Sequence, residues 1–366
     1  MDKEWIMANL LSKSSVKRAG ERLRNYLTTD QEYENKEALQ SDIDTLSAWR
    51  TLHEIPMKIL RGSLRSKLQR DGKYENSTLS RRLKRMPSIV NKLVRFDGMS
   101  AARMQDIAGI RIIFPTINQV NSFRNDCIKS YFEKDNLSFI LTSEDDYIFI
   151  PKNDGYRSIH QIYEYTGKKY PELKGLKVEL QIRTALQHAW STAIETLDLL
   201  NKSKIKAGEG NERHRYFFKL CSAAFSLKEK RPIILELADL SERQIHDNIK
   251  ILNLELKLLD KLAGVSVATR HITSNIKTNE KFHSAKYFLL VLNLKTRKLN
   301  VLPYKNLLEA TIAYSDNEVL SSNSNDSLEV VLVSLDDIKK IKTAYPNYFL
   351  DSSAFSKEIS KIISSI

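Results

Sequence analysis

The chain is poor in the residues that build frameworks other than a packed core. Its 366 residues include two cysteines, Cys127 and Cys221, neither with a second cysteine nearby. That excludes a cysteine-based zinc site and argues against a disulfide framework. Glycine and proline are scarce, at 11 and 8, which excludes collagen-like and low-complexity architectures. No apolar run approaches the ~20 residues a membrane helix needs. The longest candidate, around Tyr287–Leu292, reads as one strand. The opening Met1-Asp2-Lys3-Glu4-Trp5 lacks a basic stretch followed by an apolar core, so it is not read as a secretory signal. A soluble cytoplasmic protein with no membrane partner is the expectation.

What is present is an ordinary globular composition with a helical lean, 42% hydrophobic and 28% charged. The length predicts two or three cores. The net charge is +13 and it is concentrated: between Arg61 and Arg103, twelve Lys or Arg stand against three acids, Asp71, Glu75 and Asp97. Such a surplus suits nucleotide phosphates or RNA, and equally a solvated helix face.

Hydrophobic periodicity divides the chain. Residues 14–60 read as helices, with Leu39, Ile43, Leu46, Trp49 and Leu52 three or four apart and Pro56 closing the pattern. Residues 71–77 read as a loop and Pro87–Arg95 as a helix. Ile107–Phe114 is a nearly continuous apolar run closed by Pro115, a buried strand. Val120, Phe123, Cys127 and Tyr131 mark a helix. Tyr147–Ile150 and Tyr156–Tyr165 read as strands around a Pro151–Gly155 turn with an Asp-Gly signal. Val178–Arg183 alternates as a strand, and Thr184 opens a helix, spaced from Gln187 as a capping box. That helix buries Leu186, Trp190, Ile194 and Leu197. Residues 206–284 read as helical, with a weak linker at 207–210. Strands at 286–294 and 298–303, a helix, a Ser/Asn-rich loop at 321–327, a strand at 328–334 and a helix from Leu335 follow.

Three stretches carry candidate chemistry. In Val178–Arg183 the row Glu179, Gln181, Arg183 faces away from Val178, Leu180 and Ile182. An acid, an amide and a base in one row suit a cleft, although an exposed sheet face gives the same pattern. Arg111 lies inside an apolar strand, where a guanidinium needs an anion, either a structural carboxylate or a substrate phosphate. Asp106 heads that strand. Tyr156, Ser158 and His160 share a face, with Lys152 and Asp154 in the turn before them, a set suited to a base and its phosphates. Singly, Tyr156 reads as packing and His160 as a structural histidine.

Four segments, in chain order, together resemble the RelA/SpoT synthetase family. Arg82-Leu83-Lys84, Ser88-Ile89 and Lys92 look like its basic ATP-side motif. Asp106–Ile112 resembles its Asp-Ile-Ala-Gly-Ile-Arg strand. Asp146-Tyr147-Ile148, Pro151-Lys152 and Gly155–His160 look like its acceptor loop. Glu179–Thr184 resembles its Glu-Ile-Gln-Ile-Arg-Thr strand, and Gln187–Trp190 continues in the manner of the small synthetases. The resemblance covers roughly residues 61–200.

It implies an α+β fold: a mixed β-sheet, nucleotidyltransferase-like synthetase core flanked by helices. The expected division is N-terminal helices at 1–60, the synthetase domain at 61–205, a helical region at 206–284 and a small α/β C-terminal domain at 285–366. The implied reaction is pyrophosphate transfer from ATP to the 3′-hydroxyl of GDP or GTP. Asp106 and Glu179 would be the catalytic acids holding Mg²⁺, with Glu179 taking the hydroxyl proton. Arg82, Lys84, Ser88, Lys92 and Arg111 would serve ATP. Lys152, Asp154, Tyr156, Arg157, His160, Gln181 and Arg183 would serve the acceptor nucleotide, with Tyr156 stacked on its base.

Asp154 stands where the family usually has Asn, which adds a negative charge beside an anionic acceptor and leaves the acceptor open. The alternatives are the same transfer to the 3′ end of tRNA, as a growth-arresting toxin, and a non-catalytic RNA-binding module. The second is disfavoured by retention of both acids. No hydrolase half is read before the synthetase, His246-Asp247 reads as a surface pair, and the chain is too short for a large regulatory region. A stand-alone synthetase is therefore expected, with homo-oligomerisation open.

Overall fold

The computed structural model describes residues 3–29, 31–132, 138–201, 211–262, 282, 284–293, 296, 298–323, 328–335 and 352–365. Four helices come first: α1 (Lys3–Ala8), α2 (Lys13–Thr28), α3 (Lys36–Leu52) and α4 (Glu54–Gln69). Side-chain caps start two of them, Ser12 accepting from the Ser15 N–H and Asn35 from the Ala38 N–H. Pro56 does not end a helix, as the sequence suggested. It sits in the first turn of α4, where its missing N–H breaks no bond.

The remaining elements alternate. They are β1 (Thr78–Leu83), α5 (Met86–Arg95), β2 (Ala108–Phe114), α6 (Ile117–Phe132), β3 (Phe139–Asp146), β4 (Ile159–Tyr165), β5 (Lys177–Thr184) and α7 (Ala185–Asn201). After these come α8 (Glu212–Lys228), α9 (Glu242–Leu256), β6 (Tyr287–Asn293), β7 (Lys298–Tyr304), α10 (Leu307–Asn323), β8 (Leu328–Leu335) and α11 (Ser353–Ser364). The expected linker at 207–210 lies outside the described residues, and Leu335, where a helix was expected to begin, is instead the last residue of β8.

Two strands differ from expectation. Tyr147–Ile150 is a turn, because Asp146 Oδ1 accepts from both the Ile148 and Phe149 N–H groups and pulls the chain out of the ladder. The strand lies just upstream, at β3. Strand β1 falls in the basic segment, where its charged residues hide the alternation. The capping box is present: Gln187 N–H donates to Thr184 Oγ1, and Thr184 N–H donates to Gln187 Oε1.

Among the described residues, eight strands form one mixed sheet, in the order β3-β4-β5-β2-β1-β8-β6-β7. β2 and β5 run parallel and the other pairs are antiparallel. β8 hydrogen-bonds to β1, so the strands of 285–335 continue the sheet of the preceding region. One face carries Ile110, Ile112, Val178, Leu180 and Ile182 into a core shared with Leu60, Leu64 and Phe123 from α4 and α6. A second core gathers α7, α8, α9 and α11 around Trp190, Phe218, Phe225 and Phe355. Burying such side chains contributes about 1.5–3 kcal/mol each, which is what holds these layers to the sheet. The opposite side of the central strands is polar.

Candidate functional site

Register places the polar residues. Across the middle of the sheet, Arg82 of β1 stands opposite Gly109 of β2, and Gly109 opposite Glu179 of β5. The next row on the same face is Ser80, Arg111, Gln181 and His160. Gly109 has no side chain to lift between Arg82 and Glu179, so the floor of the first row is bare there. Above these rows lies a cleft of about 380 Å³ whose lining includes Arg82, Lys84, Arg111, Asp106, Glu179 and Tyr156.

The two acids sit in this cleft in different company. Asp106, just before β2, accepts from Lys84 Nζ at 2.7 Å and Lys92 Nζ at 3.0 Å. Burial opposes its ionisation, but the two ammonium groups win and hold its carboxyl below the usual range. Burial pushes Lys84 down, and the charge of Lys92 adds to this. The two ammonium groups thus favour the ionised form of Asp106.

Glu179 sits 3.0 Å from His160 Nδ1 and accepts from Gln181 Nε2 at 2.9 Å. His160 Nε2 lies 2.8 Å from the Tyr156 hydroxyl. Burial alone would lower the pKa of His160, yet Tyr156 and Glu179 together raise it to about 9. Burial likewise disfavours the Glu179 anion, and His160 more than offsets it, so the carboxyl lies below its ordinary value. The charge of Asp106 acts on Glu179 in the opposite direction, which marks the two carboxylates as electrostatic neighbours.

The acceptor loop is folded tightly. Asp154 Oδ1 accepts from the Tyr156 N–H at 2.8 Å, so the aspartate makes the turn that an asparagine would make. Lys152 Nζ lies 4.2 Å from the Tyr147 ring centroid and 5.5 Å from that of Tyr156. Gly155 has φ +90°, and a Cβ there would stand 3.0 Å from Ser222 and 3.2 Å from Trp190. Arg183 is buried, with Nη1 on Ser191 Oγ at 3.0 Å and Nη2 on His188 Nδ1. Burial and the charge of Arg111 both disfavour its cation. Lys152, Asp154, His160, Gln181, Arg183 and Lys92 also line the cleft.

Two expected site residues are elsewhere. Arg157 does not reach the cleft: its Nε donates to Ser222 Oγ at 2.9 Å and its Nη1 to the Pro232 carbonyl at 2.7 Å. Its partners belong to α8 and to the segment that follows it. Ser88 stands in the first turn of α5 and is not part of the cleft lining.

Other residues at the site were not read from the sequence. Glu195 of α7 lines the cleft and favours the Arg183 cation. Ser222 of α8 donates to the Gly155 carbonyl at 2.6 Å. Only Glu195 had a signal available, its position on the helix that follows the Glu179 strand. Nothing in the sequence around Ser222 marks it.

Among the described residues, no group of three or more His, Cys, Asp or Glu is placed to hold a metal ion, and no helix is long and apolar enough to cross a membrane.

Comparison with known proteins agrees with the position of the cleft. Residues 81–199 match the region found in RelA / SpoT proteins. The GTP pyrophosphokinase YwaC of Bacillus subtilis is 33% identical over 116 residues, 30% of this chain and 52% of that protein. The GTP pyrophosphokinase YjbM of the same organism is 33% identical over 95 residues, 26% of this chain and 42% of that protein. The chain thus spans about half the length of the curated relatives it matches. Among solved structures, small alarmone synthetase 1 from Bacillus subtilis superposes with a TM-score of 0.41 at 25% identity, covering 50% of this chain and 91% of that one. Both acids of the cleft therefore lie within the segment that matches the region found in RelA / SpoT proteins.

Proposed function

We propose that the chain is a pyrophosphokinase that transfers the β,γ-diphosphate of ATP to the ribose 3′-hydroxyl of GDP or GTP. The observation that carries this is the meeting of Asp106 and Glu179 in one cleft, ringed by Arg82, Lys84, Lys92, Arg111 and Arg183. The similarity of residues in this region to two GTP pyrophosphokinases supports the same reading.

In the proposed reaction the acceptor 3′-oxygen bonds to the β-phosphorus of ATP. The bond from that phosphorus to the α,β-bridging oxygen breaks, and AMP leaves with its electron pair. The hydroxyl proton passes to the Glu179 carboxylate. Both oxygens of Glu179 already accept one hydrogen bond, and each keeps a lone pair for a second. Its lowered pKa makes it a weak base, so the proton leaves only as the new O–P bond forms. Lys84 and Lys92 exchange part of their hold on Asp106 for the phosphates. Fixed cations then meet charge that grows on the transferring group, the arrangement phosphoryl transfer demands. Tyr156 offers an aromatic surface for the acceptor base, held by its bond to His160.

The donor set fits a magnesium ion brought in by the nucleotide. Mg²⁺ is commonly held by one or two carboxylates plus substrate phosphates, and Asp106 and Glu179 are two such groups. Bound there, it would neutralise phosphate charge.

Incubation with γ-³²P-ATP, Mg²⁺ and GDP, GTP or bulk tRNA, beside a Glu179→Gln control, tests the reading. Label in a guanosine tetra- or pentaphosphate, absent in the control, is expected. Label in tRNA alone would keep the chemistry and replace the acceptor. No transfer to any acceptor would overturn the assignment.

A further inference from the structure

A second cavity, of about 670 Å³, shares no lining residue with the catalytic cleft. It opens where the first turn of α2, the end of α3 and the segments leading into β2 and β5 meet. Four cations line it, Lys13, Lys17, Arg103 and Lys177, against one acid, Glu164. Lys17 pairs with Glu21 outside the cavity, and Arg103 donates to the Gly98 carbonyl. Lys13 and Lys177 have no acid within ion-pair distance among the described residues, although Glu164 stands directly across the ladder from Lys177. Lys13 Nζ lies against the bare backbone of Gly175, where a Cβ would come within 3.3 Å of it.

Behind these cations stand two buried donors without a partner. Trp49 is 5% exposed and Ser100 4%, and both line the cavity. Trp49 Nε1 and Ser100 Oγ have no hydrogen-bond partner among the described residues. A buried donor left unpaired costs about 1–3 kcal/mol, and a bound water or ion is one of the ways native structures satisfy such a group. Both unpaired atoms can donate, and so can the four cations.

We propose that this cavity is a binding site for a small phosphorylated molecule. A wall made of donors and positive charge calls for a ligand rich in acceptors and negative charge, and a phosphate supplies three acceptor oxygens with one or two charges. The volume lies within the range of small-molecule sites, roughly 300–1,000 Å³, which favours a compact ligand over a polymer backbone.

Inorganic tripolyphosphate is the probe, titrated calorimetrically into the full chain without acceptor or turnover. Two sites are expected. Lys13→Gln/Lys177→Gln weakens one of them at least tenfold and leaves KM for ATP within twofold. Lys13→Arg/Lys177→Arg retains both, which excludes a simple folding defect. Arg82→Gln/Lys84→Gln removes the other site, so failure of that arm alone counts against the catalytic reading and not against this one. A saturable tryptophan fluorescence change that disappears in Trp49→Phe places the ligand at the cavity. Tripolyphosphate binding unchanged by Lys13→Gln/Lys177→Gln overturns the proposal. So does binding at these lysines by an RNA oligonucleotide that tripolyphosphate cannot displace.

Discussion

The two halves of the catalytic cleft solve the same problem with different chemistry. On one side, Asp106 is held by two ammonium groups, both from within 22 residues upstream. On the other, Glu179 is held by an imidazole and an amide, and the imidazole leans on a phenol. Each carboxylate is half-buried, and its partners favour the ionised form. The partners differ in what can change them. Lysine keeps its proton across the physiological range, whereas histidine is the side chain whose charge is readily moved within it. The Asp106 side is thus a fixed electrostatic cradle, and the Glu179 side is a titratable chain fastened to the acceptor loop.

The largest test of that contrast removes each acid in turn. Glu179→Gln should lower kcat by at least about 10³-fold, the range of a lost general base with its charge. Asp106→Asn should lower kcat comparably, but it also releases Lys84 and Lys92 to the phosphates, so KM for ATP should stay level or fall. Steady-state kinetics with varied ATP separates the two. Equal shifts in KM for ATP would break the comparison.

A second test uses pH. His160 has a folded pKa raised to about 9, above an unperturbed value of about 6.5. The His160–Glu179 pair therefore contributes its full stability below about pH 6.5 and loses it as pH rises through about 9. At the acid end, Glu179 has a lowered pKa, so its contribution is lost only as pH falls through that depressed value. Thermal unfolding between about pH 6 and 10 should show Tm falling across that window. His160→Gln should flatten the fall, with a ceiling of roughly 3 kcal/mol for a shift of this size. An unflattened slope would place the titrating group elsewhere.

The third test is smaller and concerns how the acceptor side is fastened. Ser222 donates to the Gly155 carbonyl and accepts from Arg157. Ser222→Ala removes both bonds, while Arg157 keeps the Pro232 carbonyl. A loss of about 1 kcal/mol is expected, read as a roughly fivefold rise in KM for the acceptor with KM for ATP unchanged. A rise in KM for ATP instead would mean that α8 supports the whole cleft.

These partners show how far the sequence could be read. β2, β5 and the Thr184–Gln187 cap were legible because apolar alternation and capping chemistry are local. The polar row Glu179, Gln181, Arg183 was legible for the same reason, and the cleft gathers it with Asp106, Lys84, Lys92, Tyr156 and His160. β1 was missed because Ser80, Arg81 and Arg82 look like a charged loop until β2 and β8 pair with them. Arg157 was misplaced because its motif neighbours Tyr156 and His160 face the cleft, while its own partners lie 65 and 75 residues away. Contacts of that separation leave no period in a sequence. The same holds for β8, whose pairing with β1 joins residues some 250 positions apart.

That last pairing supplies the smallest effect. Arg85, just past β1, forms an ion pair with Glu329 of β8, and the two side chains are 27% and 23% exposed. Partial exposure screens such a pair, so its contribution should stay below about 1 kcal/mol. Glu329→Gln should shift Tm only slightly and leave KM for ATP within twofold, because β1 is still held by its ladders to β2 and β8. A tenfold rise in KM for ATP would show that β8 sets the position of Arg82 and Lys84. The cradle around Asp106 would then be as dependent on distant chain as the Glu179 side is on α8.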